Sequence, residues 1–553
     1  MNGLEILVGS FAIFLAAYLI YGRWLAKKWG VDPKAPTPAH YMRDNVDYVP
    51  AKRSVVFGHQ FASIAGAGPI NGPIIAAMFG WAPVLLWIIF GGIFFGAVQD
   101  FSAMYASVKN KGKTIGYIIE LYIGKTGKQL FLVFVWLFSI LVVAAFADIV
   151  AGTFNGFAVD GALIEANASV ATTSIFFIVA AVLLGFYLNK KMPDGYTSGI
   201  IAIATLVACI WLGLTFPVFI SKGVWLYFVF VYIFIASVVP VWALLQPRDY
   251  LNSFLLVLMI AAAFIGVVYA RPEMNLDAFT GFEVNGQYMF PILFVTVACG
   301  AVSGFHSLVS SGTASKQVEN ERDMLPISFG GMLVECLLAV LALITVGALA
   351  VGGTLPKGTP PQVFAQAISG FLSGLGLPEK TIFTLITLSV SAFAMTSLDS
   401  VARVGRLAFQ EMFINSDNPK ATGPIASFLA NRYVATFCTL FVGYLLSLRG
   451  YADIWPLFGS ANQLLAALSL IACAVYLKRT KREGWMLYFP MIAMLLVTFV
   501  ALFLTIWKLA GKIPVDGGFN YASDGLQMIF AVLLLVLGIL VAKAGLQKLQ
   551  AKA

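Results

Sequence analysis

Two of the three histidines in this 553-residue chain, His59 and His306, lie inside apolar stretches. An imidazole titrates near neutral pH, so a buried histidine can take up and release a proton during a conformational cycle. It can also serve only as a kink residue bonded to a backbone carbonyl. Four carboxylates share this environment: Asp100 in GAVQDFSAMY, Asp148 in AAFADIVAG, Glu335 in VECLLA and Asp399 in TSLDSVARVGR. Ionisable groups at membrane depth cost several kcal/mol, so each is either a functional group or half of a structural pair. For Asp399 a local pair is expected, because Arg403 and Arg406 follow at i+4 and i+7 on the same helical face. Ser310, Ser311 and Thr313 could coordinate a monovalent cation, or could bend a helix by bonding carbonyls one turn back. His40 lies in a loop. Neither inner histidine has Cys or carboxylate partners at ligand spacing, so no resident metal or cofactor is expected. The candidate coupling set is therefore His59, His306, Asp100, Ser310, Ser311 and Thr313.

The elements that must hold these groups are unusual. Residues 54–80, SVVFGHQFASIAGAGPINGPIIAAMFG, are apolar and long enough to cross a bilayer, yet Gly58, Gly66, Gly68, Pro69, Gly72 and Pro73 interrupt them. Helix breaks at membrane depth survive only beside protein or a water-filled cavity, and secondary transporters build their sites on such breaks. His59, Gln60, Ser63 and Asn71 bring polar side chains to the segment. Gly66 and Gly68 allow close backbone approach, either for N–H groups aimed at a carboxylate or for helix packing alone. Residues 236–252 (ASVVPVWALLQPRDYLN) and 298–323 share the interrupted character. Pro240 and Gln246 join His59, Gln60, Ser63, Gly66, Gly68 and Asn71 as candidate substrate-binding residues. Asn462 and Gln463, in GSANQ at 459–463, read as a packing hydrogen-bond pair.

The chain as a whole is 60% hydrophobic and 11% charged, with mean hydropathy +0.89. Soluble domains carry about 25% charged residues, and the repeated apolar runs here match a hydrocarbon core about 30 Å thick. About fifteen spans are expected, from 3–25 to 525–542, with 115–123 as an interfacial helix and 361–377 as either a lid or a surface helix. The first run lacks a basic leader and cleavage pattern, so it reads as a retained span. With the amino terminus outside and the carboxyl terminus cytoplasmic, 28 of the 35 basic residues fall on the inner side, as the positive-inside rule requires. The net charge of +9 then faces anionic lipid rather than nucleic acid. Five cysteines in apolar runs without C-x-x-C spacing form neither a disulfide framework nor a zinc site. Loops this short leave no soluble catalytic domain, which argues against an enzyme.

In this count the interrupted 54–80 segment is span two, and the Pro240 segment is span seven with the opposite direction. That is the pattern of a five-plus-five inverted repeat, with boundaries 1–53, 54–222, 223–414 and 415–553. The arrangement resembles the LeuT-fold, amino acid–polyamine–organocation transporters, an all-α polytopic class. DYVP (47–50), FGHQFASIAGAGPINGPIIAA (57–77), GAVQDF (96–101), PVWALLQPRDYLNSF (240–254), ACGAVSGFHSLVSSGTASK (298–316) and SLDSVARVGR (397–406) are similar to the carbon starvation protein A family. The resemblance implies an inner-membrane symporter for short peptides or pyruvate-like carboxylates, with H⁺ coupling expected ahead of Na⁺. It also leaves open a homo-oligomer and, as alternatives, a Na⁺-coupled symporter or a membrane-embedded nutrient sensor. Two positions depart from the family pattern. Gln60 stands where a second histidine is common, and Ala-Ser-Lys follows Thr313 in place of Thr-Pro-Lys.

Overall fold

The computed structural model describes residues 2–44, 48–158, 160–191, 195–239, 244–413, 423–513, 519–521 and 523–550. Among these residues the chain is helical apart from one two-stranded hairpin, Glu283–Val284 with Gln287–Tyr288, and isolated bridges. A chain this apolar has no water at depth to satisfy its amides, so helices are the economical answer. Ten helices among the described residues are long and apolar enough to cross a membrane, and the bent pair Arg53–Ile64 with Gly68–Phe79 makes an eleventh. Gly199–Thr215, Lys222–Val238 and Arg432–Ser447 are apolar but shorter. The run expected as one span at 290–312 is instead divided into Met289–Thr296, Ala298–Ala301 and Phe305–Gly312.

The structure resolves into two compact units. One comprises Met1–Ile6, Val142–Asp277 and Leu341–Tyr451. Its central element is the 35-residue helix Glu379–Phe413, which packs against Glu165–Lys191, Leu245–Ala270, Pro360–Ser373 and Arg432–Ser447. Phe177, Leu184, Leu206, Leu251, Leu255 and Leu388 form one of its apolar clusters. Pro360–Ser373 falls in the stretch read as a lid or a surface helix. A Thr359–Gln362 capping box starts it, and it buries a full face including Val363, Phe364, Ile368 and Leu372.

The other unit comprises Leu7–Leu141, Ala278–Val340 and Ala452–Ala553. Six helices place its polar groups: α1 (Arg53–Ile64), α2 (Gly68–Ala76), α3 (Ala97–Lys109), α4 (Phe305–Gly312), α5 (Gly331–Leu349) and α6 (Tyr451–Arg479). α1 and α2 meet at 44°. Ala65 leaves the helical region with ψ 54°, and Gly68-Pro69 restarts the helix with proline in its first turn. The 289–312 segment packs on α2 across its own breaks. A Cβ at Gly72 would lie 2.7 Å from the Thr296 carbonyl oxygen, so only glycine permits that approach. Single π-turns, Gly92–Gly96 and Pro326–Gly330, lead into α3 and α5. Such turns add a residue to the helix and re-aim the side chains that follow. α6 is enclosed, with every residue from Trp455 to Leu477 buried except Pro456.

Candidate functional site: a buried histidine between two carboxylates

α3, α4 and α5 bring Asp100, His306 and Glu335 together, with exposures of 0%, 1% and 0%. His306 Nδ1 lies 2.8 Å from Asp100 Oδ2, and Nε2 lies 3.2 Å from Glu335 Oε2. A neutral imidazole offers only one N–H, so having both ring nitrogens face carboxylates requires one further proton, on the ring or on a carboxyl. The Glu335 contact is ionic rather than a well-aligned hydrogen bond. Neither Glu335 oxygen has a hydrogen-bond donor among the described residues. Asp100 is better held: with its amide turned to donate, Gln99 reaches Asp100 Oδ1 at 3.0 Å and the Ser303 carbonyl at 2.9 Å. An imidazolium beside two carboxylates leaves the cluster at −1, and one more proton brings it to zero. Burial penalises the charged state, so the stability of the cluster depends on how many protons it holds.

Around the breaks, buried amides lack part of their hydrogen bonding. Gln60 Nε2 donates to Ser310 Oγ at 2.7 Å, while its Oε1 has no partner among the described residues. Both amide atoms of Asn71, a fully buried residue in the first turn of α2, are also unpartnered. Gln463 Nε2 donates to the Phe294 carbonyl at 2.6 Å and leaves Oε1 unmatched. Buried polar groups are normally satisfied, and each orphan costs about 1–3 kcal/mol. An orphaned amide beside a helix break therefore has hydrogen-bonding capacity that the protein leaves unused.

Several expected residues sit elsewhere. His59 is exposed on α1, and Ser63 Oγ donates to its carbonyl at 2.8 Å. The two inner histidines thus differ, one exposed and one enclosed by carboxylates. Ser311 Oγ donates to the Ser307 carbonyl at 2.6 Å and accepts from Ile115 N at 3.0 Å. Thr313 is exposed at the end of α4, and Ser310 holds Gln60. The three hydroxyls are therefore dispersed rather than gathered on a common centre. Gly66 and Gly68 are buried at the α1–α2 break. Pro240 lies outside the described residues, as does the side chain of Gln246.

The expected Asp399 pairing is corrected. Its carboxylate is held by the Arg248 guanidinium and, at 2.9 Å, by Tyr232 Oη. Arg403 instead donates to the Ala236 and Val239 carbonyls at 2.5 Å, and Arg406 to the Ser237 carbonyl at 2.6 Å. The end of Lys222–Val238 leaves these carbonyls without helical donors, and the two arginines supply them. Asp148 pairs with Lys222 Nζ at 2.8 Å and accepts from Tyr451 N at 2.8 Å. Asp100 and Glu335 were legible as buried carboxylates, whereas Gln99, Arg248 and Tyr232 carried no distinctive sequence signal.

Apolar helices with interruptions around enclosed ionisable groups define a multi-pass α-helical membrane protein with an internal polar site. A profile of the family described as "Carbon starvation protein CstA" matches residues 2–355 and 352–501. The peptide transporter CstA of Escherichia coli (strain K12) is 32% identical over 581 residues, covering 91% of this chain and 81% of that protein. The peptide transporter CstA of Bacillus subtilis (strain 168) is 31% identical, covering 99% of this chain and 97% of that protein. The pyruvate/proton symporter BtsT of Escherichia coli (strain K12) is 31% identical, covering 95% and 84% respectively. Among solved structures, an Eremococcus coleocola manganese transporter aligns with a TM-score of 0.46 and 11% identity, covering 90% of this chain and 97% of that one. The chain belongs to the carbon starvation protein CstA family.

Proposed function

We propose that this protein is a secondary active transporter that imports a small carboxylate-bearing nutrient, a short peptide or a pyruvate-like acid, together with protons. Relatives named as peptide transporters and as a pyruvate/proton symporter support the substrate class. The observation that carries the coupling is the buried cluster in which both ring nitrogens of His306, on the helix that continues from the 302–304 break, face the carboxylates of Asp100 and Glu335. Asn71 and Gln60 supply amides for the substrate, and the first turn of α2 adds N–H groups suited to a carboxylate. Protonation removes the net charge that opposes burial, and reorientation then carries substrate and proton together. H⁺ rather than Na⁺ fits a cluster built on an imidazole, because the Ser310, Ser311 and Thr313 hydroxyls do not converge.

The same proposal keeps the LeuT-like inverted repeat, an inner-membrane location with the amino terminus outside, and a cytoplasmic carboxyl terminus. The 54–80 and 289–312 segments share features around the site. Both are interrupted, they abut, and each leads into a helix with a π-turn. The test is uptake of labelled dialanine and labelled pyruvate into proteoliposomes under an imposed pH gradient, with and without Na⁺. Gradient-driven accumulation without Na⁺ is expected. Uptake of either substrate that follows Na⁺ and ignores pH would refute the coupling, and no uptake of either would refute the transport reading.

A further inference from the structure

Four side chains of α6 reach the interrupted 289–312 segment. Trp455, Asn462 and Ser469 recur every seven residues and so share one helical face, with Gln463 beside them. Trp455 Nε1 donates to the Thr296 carbonyl at 3.0 Å, and Gln463 Nε2 to the Phe294 carbonyl at 2.6 Å. The Asn462 carbonyl accepts from Gly304 N at 3.1 Å, and its Oδ1 accepts from Phe305 N at 3.1 Å. Asn462 Nδ2 donates to Ser303 Oγ at 3.1 Å, while Ser469 and Ser307 hydroxyls meet at 2.8 Å. These partners cluster at the backbone groups that the breaks release from helical pairing, and inside a membrane such groups must find partners in protein. The approach is close: a Cβ at Gly304 would overlap the Asn462 carbonyl and Ala466 N.

The break is also wired to the ionisable cluster. Ser303, held by Asn462, presents its carbonyl to Gln99, whose amide holds Asp100, whose carboxylate holds His306. We propose that Asn462 and Gln99 are positioning residues that couple the backbone state of the 302–304 break to the proton occupancy of His306, Asp100 and Glu335. This rests on the reading that the cluster carries the coupling proton. Asn462 suits the role because its acceptor serves Phe305 N while its donor serves Ser303. Aspartate keeps the first contact and reverses the second, its carboxylate accepting from the Ser303 hydroxyl and adding a charge, and alanine loses both. Ser469 shares the face and meets the Ser307 hydroxyl, which itself donates to the Gly304 carbonyl at 2.7 Å, so removing Ser469 leaves the contacts of Ser303, Gln99 and Asp100 in place.

The test uses the full-length protein in proteoliposomes, with labelled pyruvate and labelled dialanine as probes. Asn462→Ala, Asn462→Asp, Gln99→Ala and, as a control, Ser469→Ala are compared in gradient-driven uptake across a pH series and in counterflow at symmetric pH. Asn462→Ala and Gln99→Ala are expected to keep counterflow within about threefold. Their driven uptake should fall roughly tenfold, the scale of one lost buried partner, with a pH midpoint displaced by about one unit. Asn462→Asp should lie between, and Ser469→Ala should follow the wild type. If both alanine variants keep the wild-type midpoint and driven rate, the inference is wrong. It is equally wrong if they lose counterflow and driven uptake in parallel, which is what a merely structural role produces. Should Asn462→Ala not fold, Gln99→Ala and Asn462→Asp decide the matter. A wild type without pH dependence would instead sink the proton-coupling proposal itself.

Discussion

Replacing Glu335 with glutamine should uncouple transport without unfolding the protein, and both halves of that expectation follow from geometry. At the 3.2 Å separation from His306 Nε2, an effective dielectric of about 20 gives an attraction of about 5 kcal/mol. Desolvating a second carboxylate costs several kcal/mol, and Asp100 repels it across the ring. Neither Glu335 oxygen has a hydrogen-bond donor among the described residues to tip the balance. The terms nearly cancel, so Glu335→Gln should shift stability by no more than about 1–2 kcal/mol in either direction. Its effect on coupling should be large. The variant leaves one imidazole and one carboxylate, a cluster already neutral with the ring protonated, so it has no need of the exchangeable proton. A gradient of 2 pH units stores about 2.7 kcal/mol per proton, which supports up to about 100-fold accumulation at one proton per substrate. In proteoliposomes the wild type should approach that ratio with whichever of dialanine or pyruvate it carries, while Glu335→Gln should equilibrate near a ratio of about 1 and retain counterflow. A Glu335→Gln protein that still accumulates its substrate to the wild-type ratio would refute the assignment of the coupling proton to this cluster.

Asn71→Ala should raise KM for uptake roughly tenfold and leave the melting transition within about 1 kcal/mol of wild type, because the amide has no protein partner to lose. Arg248→Ala strands Asp399 as a buried charge and should cost about 3–5 kcal/mol. Thermal melting in detergent reads this, and Arg248→Ala with Asp399→Ala should recover most of the loss. Gly459→Ala drives a Cβ into the Val295 carbonyl and should cut the yield of monodisperse protein, by about 1–3 kcal/mol of overpacking or more. Gly370→Ala, on an exposed helical face with nothing nearby, should be neutral or stabilise by up to about 1 kcal/mol.

What could be read from the amino acids was what local physics controls. Glycine and proline within 54–80 announced a break because no alternative conformation satisfies an apolar run containing them, and α1 and α2 meet there. Burial of Asp100, Glu335 and His306 was readable from their apolar neighbours, but their convergence was not: Asp100 and His306 are 206 residues apart and on different helices. Asp399 shows how a sound local rule fails. Arg403 stands at the favoured i+4 spacing, yet the carbonyls at the end of Lys222–Val238 are the more demanding acceptors, and Arg248 is left for the carboxylate. The interrupted character of 298–323 is legible from its glycines, whereas the partners that stabilise the break are not. Gly300 and Gly304 permit it, but the donors and acceptors that make it affordable lie on α6, about 150 residues away. Asn462 and Gln463 were seen as a hydrogen-bonding pair for packing, and the heptad recurrence of Trp455, Asn462 and Ser469 was the signal that would have pointed them at a common partner.

Among the described residues each compact unit encloses a fully buried ionic contact, and the two differ in the cation at their centre. Arg248 pairs with the buried Asp399 and, at 3.0 Å, with the half-exposed Asp249, and its guanidinium does not release its proton in proteins. Tyr232 Oη meets Arg248 and Asp399, at 2.6 Å and 2.9 Å. Such a node can break and reform as a unit around a cation of fixed charge. His306 faces two carboxylates, Asp100 and Glu335, and every member of this node can change protonation. Its neighbours reinforce the contrast: Gln99 and Ser303 tie it to backbone that is already interrupted, so a change in proton count acts on a segment with unpaired helical groups rather than on a continuous helix. A group that must bind a proton on one side of a membrane and release it on the other needs both properties, variable charge and attachment to a deformable element. The first node is built around a cation of fixed charge, and the second around an imidazole that titrates.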